Sequence, residues 1–341
     1  MQKIGILTGG ADCPGLNSVI RAVVHKAALE GYVVTGIKNG WNGLIENDMR
    51  ILDLRVTSGI LDRGGTILGT SRFIPPLSAD QKKIIIENFR RSGIDAIIAV
   101  GGEDTLKIAL ELYRDAKLPI VGVPKSIDNA LTGTDYAFGF DTAVNVATEC
   151  IDRLHTTAES HHRIIVIEVM GRYTGWIAVQ AGIAGGADII LVPEFPVDID
   201  EICASLRERH KRGKTFSIVV VSEGVTIQGD TDEDAGESQK KRHRIGKIGE
   251  RLADLVEEKT GYETRVSVLG HIQRGGTPTA YDRVLGTRFG VKAVELVKER
   301  QFGKMVSLHE NSIHSVDIQE AVSKHKTIDP ALYAIAKVFS S

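Results

Sequence analysis

The chain has 341 residues, and its 42 Lys and Arg against 44 Asp and Glu leave a formal net charge of −2. That length suits two domains with substantial cores, and the charge balance gives no support for binding nucleic acid or a membrane surface. Three cysteines, Cys13, Cys150 and Cys203, are too few and too scattered for a disulfide framework and point to a reducing compartment.

The opening stretch, MQKIGILTGG, lacks the charged lead and long apolar core of a secretory signal. No apolar run approaches the roughly 18 residues of a membrane span, so a cytoplasmic protein is expected. Short Val- and Ile-rich runs predict strands at 4–7, 96–100, 120–123, 164–169, 189–192, 217–221 and 266–269. Longer amphipathic stretches at 16–30, 143–159, 199–211 and 245–258 predict helices between them. Strands too apolar to alternate, each followed by a helix, indicate parallel sheets covered on both faces. The expected class is α/β, doubly wound. Residues 226–244, TIQGDTDEDAGESQKKRHR, break this rhythm and read as a solvated loop, with its basic run as the alternative, a binding patch.

Ligands of open α/β sheets sit at the carboxyl ends of strands. Those positions hold Thr8 to Asp12, Gly101 to Asp104, Pro124 to Ala130, Met170-Gly171-Arg172, Glu223-Gly224 and Gly270 to Gly276. Turn glycines admit a phosphate close to backbone, and Arg and Lys beside them suit its recognition. Within AVGGEDTLKIA, however, Glu103 and Asp104 place two negative charges where a helix start attracts an anion. The pair is either a functional filter or two acids that only complement the helix dipole.

GGADCPGLNSVIR, GTSRF at 69–73, GGEDTL, PKSIDNA, SHHRIIVIEVMGR at 160–172, VSEG at 221–224 and LGHIQRGG at 269–276 together resemble the signature segments of the 6-phosphofructokinase family, in the family's order. The resemblance is strongest to pyrophosphate-dependent members. It implies phosphoryl transfer to the 1-hydroxyl of fructose 6-phosphate with Mg²⁺, in two Rossmann-like α/β domains with the active site in the cleft between them. The corresponding boundaries are 1–139 plus about 273–320 for the phosphoryl-donor domain and 140–272 plus the C-terminal segment for the fructose 6-phosphate domain. A homodimer or homotetramer is implied as well.

The resemblance also implies roles. Asp128 matches the general base and Ser126 a substrate contact, although Asp128 as a simple turn cap is the bland alternative. Lys125 and Arg72 would face the donor and the transferred group. Met170, Gly171, Arg172, Glu223, His271 and Arg274 match sugar-phosphate contacts, with a structural role for His271 as its alternative. Arg163 and Arg265 match arginines that complete a neighbouring subunit's site. Gly10, Ala11, Gly102, Asp104 and Lys125 would line the donor's phosphates, and Glu103 would meet the metal.

ATP-using members commonly carry glycine where Asp104 stands. Like charges about 4 Å apart repel by several kcal/mol at an effective dielectric near 20, so Asp104 argues for pyrophosphate over ATP. Two departures from the family pattern matter. Ala11 replaces a turn glycine, and a non-glycine held at positive φ there would cost roughly 1–2 kcal/mol. Ala130 replaces an aspartate that would help with the metal. Two alternatives stay open: an ATP-dependent enzyme of the same fold, and an impaired sugar-phosphate-binding or regulatory subunit. Among positions resembling an effector site, Arg21 and Lys214 are basic, whereas His25 and His155 stand where arginine is usual, so weak or absent nucleotide activation is expected.

Overall fold

The structure is a computed structural model that describes residues 2–227 and 247–338 of the chain. Its elements run β1 (Lys3–Gly9), α1 (Leu16–Leu29), β2 (Val33–Ile37), α2 (Trp41–Glu46), β3 (Met49–Leu52), α3 (Ala79–Ser92), β4 (Ala96–Gly101), α4 (Glu103–Ala116), β5 (Ile120–Pro124) and α5 (Phe140–His161). There follow β6 (Ile164–Val169), α6 (Trp176–Ala184), β7 (Ile189–Leu191), α7 (Ile199–Lys211), β8 (Ser217–Ser222), α8 (Lys247–Thr260) and β9 (Thr264–Val268). A 3-10 turn over Gly270–Arg274 leads to α9 (Ala280–Lys298), β10 (Lys304–His309), β11 (Ser312–Asp317), α10 (Ile318–Ala321) and α11 (Pro330–Val338).

The chain forms two compact units. One comprises the residues up to Thr142 with Arg274–His325, the other Ala143–Gln273 with the chain from Lys326 onward. The first holds a seven-stranded sheet in the order β11-β10-β5-β4-β1-β2-β3. Strands β1, β2, β4 and β5 run parallel, with Ile4 beside Val34 on one side and beside Ala96 on the other. Both edges depart from the all-parallel expectation, since β3 pairs antiparallel with β2 and β11 antiparallel with β10. Only Glu310 and Asn311 separate β11 from β10, a turn that permits only the antiparallel sense, whereas β3 returns to β2 after α2.

Ile6, Ile97, Ile98 and Val121 are wholly buried, as strands covered on both faces require. Ile97, Ile120, Leu106 and Leu112 belong to one apolar cluster that welds α4 onto the sheet. Local chemistry sets the helix ends. At α3 the Ser78 side chain accepts from Gln81 N while Gln81 accepts from Ser78 N, a reciprocal cap, and Gly93 closes the helix in a left-handed conformation.

The second unit holds a four-stranded parallel sheet, β7-β8-β6-β9. Its core includes Val166, Val219, Leu206, Leu252 and Val256. Ile227 is buried and bridges to Val197, so the start of the expected loop is part of this unit. Residues 228–244 of that loop lie outside the described residues.

Candidate active site

In the first unit the strand order reverses between β1 and β4: from β1 the chain winds outward to β2, whereas β4 and β5 lie on its other side. The crevice at such a reversal is where open α/β sheets bind ligands. Gly9 and Gly101 face one another there in the ladder. Both seat the Thr105 side chain. A Cβ on Gly9 would lie 2.6 Å from Thr105 Oγ1, and one on Gly101 would lie 2.4 Å from Thr105 Cβ. Their glycine identity is therefore a packing requirement at the root of α4.

Gly10 takes φ +76°, the left-handed region that glycine enters freely. Ala11 is not among the described non-glycine residues at positive φ, so the strain expected at that position is absent. The reversal of the turn is made one residue earlier, and an alanine methyl at 11 costs the backbone nothing. Gly10 N donates to Ser71 O at 3.0 Å, and Thr70 Oγ1 donates to Gly10 O at 2.6 Å. These two bonds hold the segment carrying Arg72 against the β1 turn.

Gly102 caps α4 with no side-chain hydrogen bond, and Glu103 and Asp104 occupy the first turn. The Glu103 carboxylate accepts from Lys107 Nζ one turn on, and His325 Nδ1 lies 3.5 Å from its second oxygen. Asp104 is half-buried and makes no hydrogen bond or ion pair among the described residues. The two acids thus differ: one is committed, the other uncompensated.

After β5 comes Lys125, only 5% exposed, whose Nζ donates to Ala11 O. Burial holds its pKa below the ordinary lysine value, and Arg274 lowers it further. Asp128 and Asp12 offset part of this, and an arriving anion would add counter-charge. Ser126 Oγ donates to Asp128 Oδ1 at 2.5 Å and accepts from Ala130 N at 3.3 Å. One hydroxyl therefore fixes the carboxylate and the turn that carries it. Asn129 sits at φ +49°, its side chain accepting from Ala137 N and donating to Asp135 O, which locks the turn further.

Nearby, Asp282 at the start of α9 is wholly buried and accepts from Thr142 N at 2.9 Å and Thr142 Oγ1 at 2.5 Å. Thr279 N donates to Thr142 Oγ1, and Thr279 Oγ1 donates to Asp141 Oδ2. These four residues knot α5 to α9. Burial, against the hydrogen bonds from Thr142, raises the Asp282 carboxyl to about 6. Burial also pushes the Cys13 thiol far above its ordinary range, so it is no nucleophile.

The second unit presents its own strand-end cluster. Gly171, at φ +138°, is locked in place: a Cβ there would lie 2.4 Å from Ser222 Oγ and 2.5 Å from Thr174 O. Ser222 Oγ donates to Gly171 O, Gly224 N to Gly171 O and Glu223 N to Val169 O. The Met170-Gly171-Arg172 and Glu223-Gly224 turns are thereby interlocked, with Gly171 N 3.4 Å from Glu223 Oε1. Gln273, which sequence reasoning passed over, is wholly buried. It accepts from Met170 N and donates to Gly270 O, tying the 3-10 turn that carries His271 to the end of β6. Arg172 lies over the Tyr173 ring at 5.3 Å, His271 is exposed and Arg274 half-buried. None of Arg72, Arg172 and Arg274 has an ion-pair partner among the described residues, which suits an anionic ligand.

Arg163 and Arg265 stand apart from these turns, at the amino ends of β6 and β9. Both pair with Glu263. His155, one of the positions resembling an effector site, contacts Gly185 O at 2.7 Å and turns its ring edge to Phe216. Burial lowers the pKa of His25, with Arg21 adding to the effect.

Among the described residues no group of three or more His, Cys, Asp or Glu converges to hold a metal. That donor set fits Mg²⁺ only in its usual mode, one or two carboxylates completed by phosphate oxygens and water. Glu103, the carboxylate expected to meet the metal, is here paired with Lys107 and faced by His325.

A family model described as phosphofructokinase matches residues 3–297. The chain is 51% identical over 342 residues to a pyrophosphate–fructose 6-phosphate 1-phosphotransferase of Streptomyces coelicolor, covering 99% of each. It is 52% identical over 339 residues to ATP-dependent 6-phosphofructokinase 3 of the same organism, covering 98% of this chain and 99% of the relative. Among solved structures, phosphofructokinase from Saccharomyces cerevisiae superposes with a TM-score of 0.82 at 31% identity, covering 99% of this chain and 47% of the yeast chain, so this chain spans about half of that one. With these matches, the chain belongs to the phosphofructokinase family.

Proposed function

We propose that the protein transfers a phosphoryl group from pyrophosphate to the 1-hydroxyl of fructose 6-phosphate, giving fructose 1,6-bisphosphate, a glycolytic step that runs in both directions. The observation that carries the choice of phosphoryl donor is the uncompensated Asp104 carboxylate at the α4 start. Pyrophosphate stops short of that carboxylate, whereas a nucleotide's inner phosphate and nucleoside would have to pass it against like charge.

Asp128 serves as general base, taking the proton from the attacking hydroxyl. Ser126 holds it in place. Lys125 gives its buried charge to the donor's phosphates, and Arg72 meets the transferred group, Gly10, Ala11 and Gly102 lining the approach. Magnesium chelated by the donor and met by Glu103 would offset negative charge on the transferring group. Met170, Gly171, Arg172, Glu223, His271 and Arg274 bind the sugar phosphate, the cations gripping phosphate and Glu223 the hydroxyls. Arg163 and Arg265 complete the site of a neighbouring copy in a homodimer or homotetramer.

An ATP-dependent enzyme is the second reading, supported by the 52% identity to an ATP-dependent relative. Purified protein given fructose 6-phosphate, Mg²⁺ and each donor in turn separates them. Faster turnover with pyrophosphate is expected. Faster turnover with ATP overturns the donor assignment, and sugar-phosphate binding without turnover on either overturns the assignment as an enzyme.

A further inference from the structure

Glu263 plays no part in the roles above, yet among the described residues it is the carboxylate that Arg163 and Arg265 share. The sheet builds this meeting. Parallel pairing sets Ile164 beside Thr264 and Ile165 beside Arg265, so Arg163 and Glu263 are lateral neighbours just before the two strands begin. Ile164 N donates to Glu263 O at 3.0 Å and fixes that register. The two-residue repeat of a strand then carries residues 263 and 265 onto one face.

The two guanidiniums are held differently. Arg163 Nε, itself buried, lies 2.8 Å from Glu263 Oε2 in a bent contact, an ion pair rather than a straight hydrogen bond. Its two terminal nitrogens, the pair that grips a phosphate bidentately, make no hydrogen bond or ion pair among the described residues. Arg265 is occupied at both ends, Nη1 donating to Thr264 O at 2.9 Å and Nη2 to Glu263. The contact with Arg163, foremost, keeps the Glu263 carboxyl below its ordinary range, so it stays charged near neutral pH.

We infer that Glu263 is a positioning residue for sugar-phosphate binding: it holds Arg163 by its inner nitrogen and presents the outer edge to the phosphate bound by a neighbouring copy. The inference rests on the proposed role of Arg163. It has a sign that simple charge arithmetic lacks. Removing a carboxylate beside two arginines makes the locality more positive and, by field alone, tightens phosphate binding. Loss of positioning weakens it.

The full-length enzyme carrying Glu263→Gln should show a KM for fructose 6-phosphate raised about fivefold, the scale of one oriented surface ion pair. Its kcat and its KM for pyrophosphate should stay at wild-type values. Glu263→Asp should recover part of the loss, and in an Arg163→Ala background the Glu263→Gln change should add nothing. An unchanged or lowered KM for fructose 6-phosphate in Glu263→Gln, or a full penalty persisting without Arg163, overturns the inference. If Arg163→Ala alone leaves that KM at the wild-type value, the assignment of Arg163 has failed first, and Glu263 loses its role with it.

Discussion

Lys125 reaches from the end of β5 to donate its ammonium to the carbonyl of Ala11, in the turn after β1. The contact joins two of the loops that would receive the phosphoryl donor. It also gives a buried cation a neutral carbonyl as hydrogen-bond partner, while the Asp128 and Asp12 carboxylates help to stabilise its charge. Lys125→Met keeps the bulk and deletes the charge. Pyrophosphate-driven turnover should fall about 10²-fold, the scale for losing one fixed charge at a developing anion. Steady-state kinetics with both substrates varied would check it, and a loss confined to the KM for fructose 6-phosphate would contradict it.

Asp104 should act as a barrier to nucleotide. In Asp104→Gly the like charge disappears, and kcat/KM with ATP should rise by about tenfold or more, well within the several kcal/mol available at an effective dielectric near 20. Pyrophosphate turnover should change far less. If the ratio of the two kcat/KM values stays fixed, Asp104 only complements the dipole of α4.

The Asp282 carboxyl, raised from 3.8 to about 6, makes a statement about stability against pH. A carboxyl whose folded pKa lies above its unfolded one favours the fold most while protonated in both states, below pH 3.8. That advantage drains away as pH rises through about 6, for a total of about 3 kcal/mol. Asp282→Asn has no such titration. Chemical denaturation at several pH values should show the variant gaining on wild type between pH 4 and 7, and a constant difference across that range would refute the buried charge.

Two strand-end glycines should respond oppositely to alanine. Gly171→Ala must force φ +138° on a substituted residue and push a methyl to 2.4 Å from Ser222 Oγ, so it should lose at least about 1–3 kcal/mol of stability and loosen sugar-phosphate binding. Gly102 sits at φ −85°, and a methyl there would meet Lys125 O at 3.5 Å, an ordinary contact. Gly102→Ala should melt within a few degrees of wild type. Thermal scans of both variants test the contrast.

The central strands were legible because a strand buried on both faces leaves a run of Val and Ile that few other structures produce. Helix 199–211 was legible to the residue, since Asp198 caps it and its apolar positions keep helical spacing. The edge strands were not. In β11, Ser312–Asp317, the burial is partial and the run SIHSVD carries no continuous apolar signature. The turn tolerates Ala11, one of the two outcomes open at that position: a glycine-rich turn does not announce which of its residues takes positive φ, and here it is Gly10. Glu263, Gln273 and Asp282 were invisible for another reason. Each gains its meaning from partners set by register or packing about 100 or more residues away, as with Met170 and Gln273 or Thr142 and Asp282.

The knot of Asp141, Thr142, Thr279 and Asp282 also bears on how such a chain is put together. The first unit is left at Thr142 and rejoined at Arg274, five positions before Thr279, and the knot clasps the outgoing and returning strands of polypeptide to each other. Residues 143–273 therefore behave as a guest spliced into a host whose cut ends stay fastened. A host fastened in that way keeps one seven-stranded sheet, with β10 and β11 added to it only after the excursion is over.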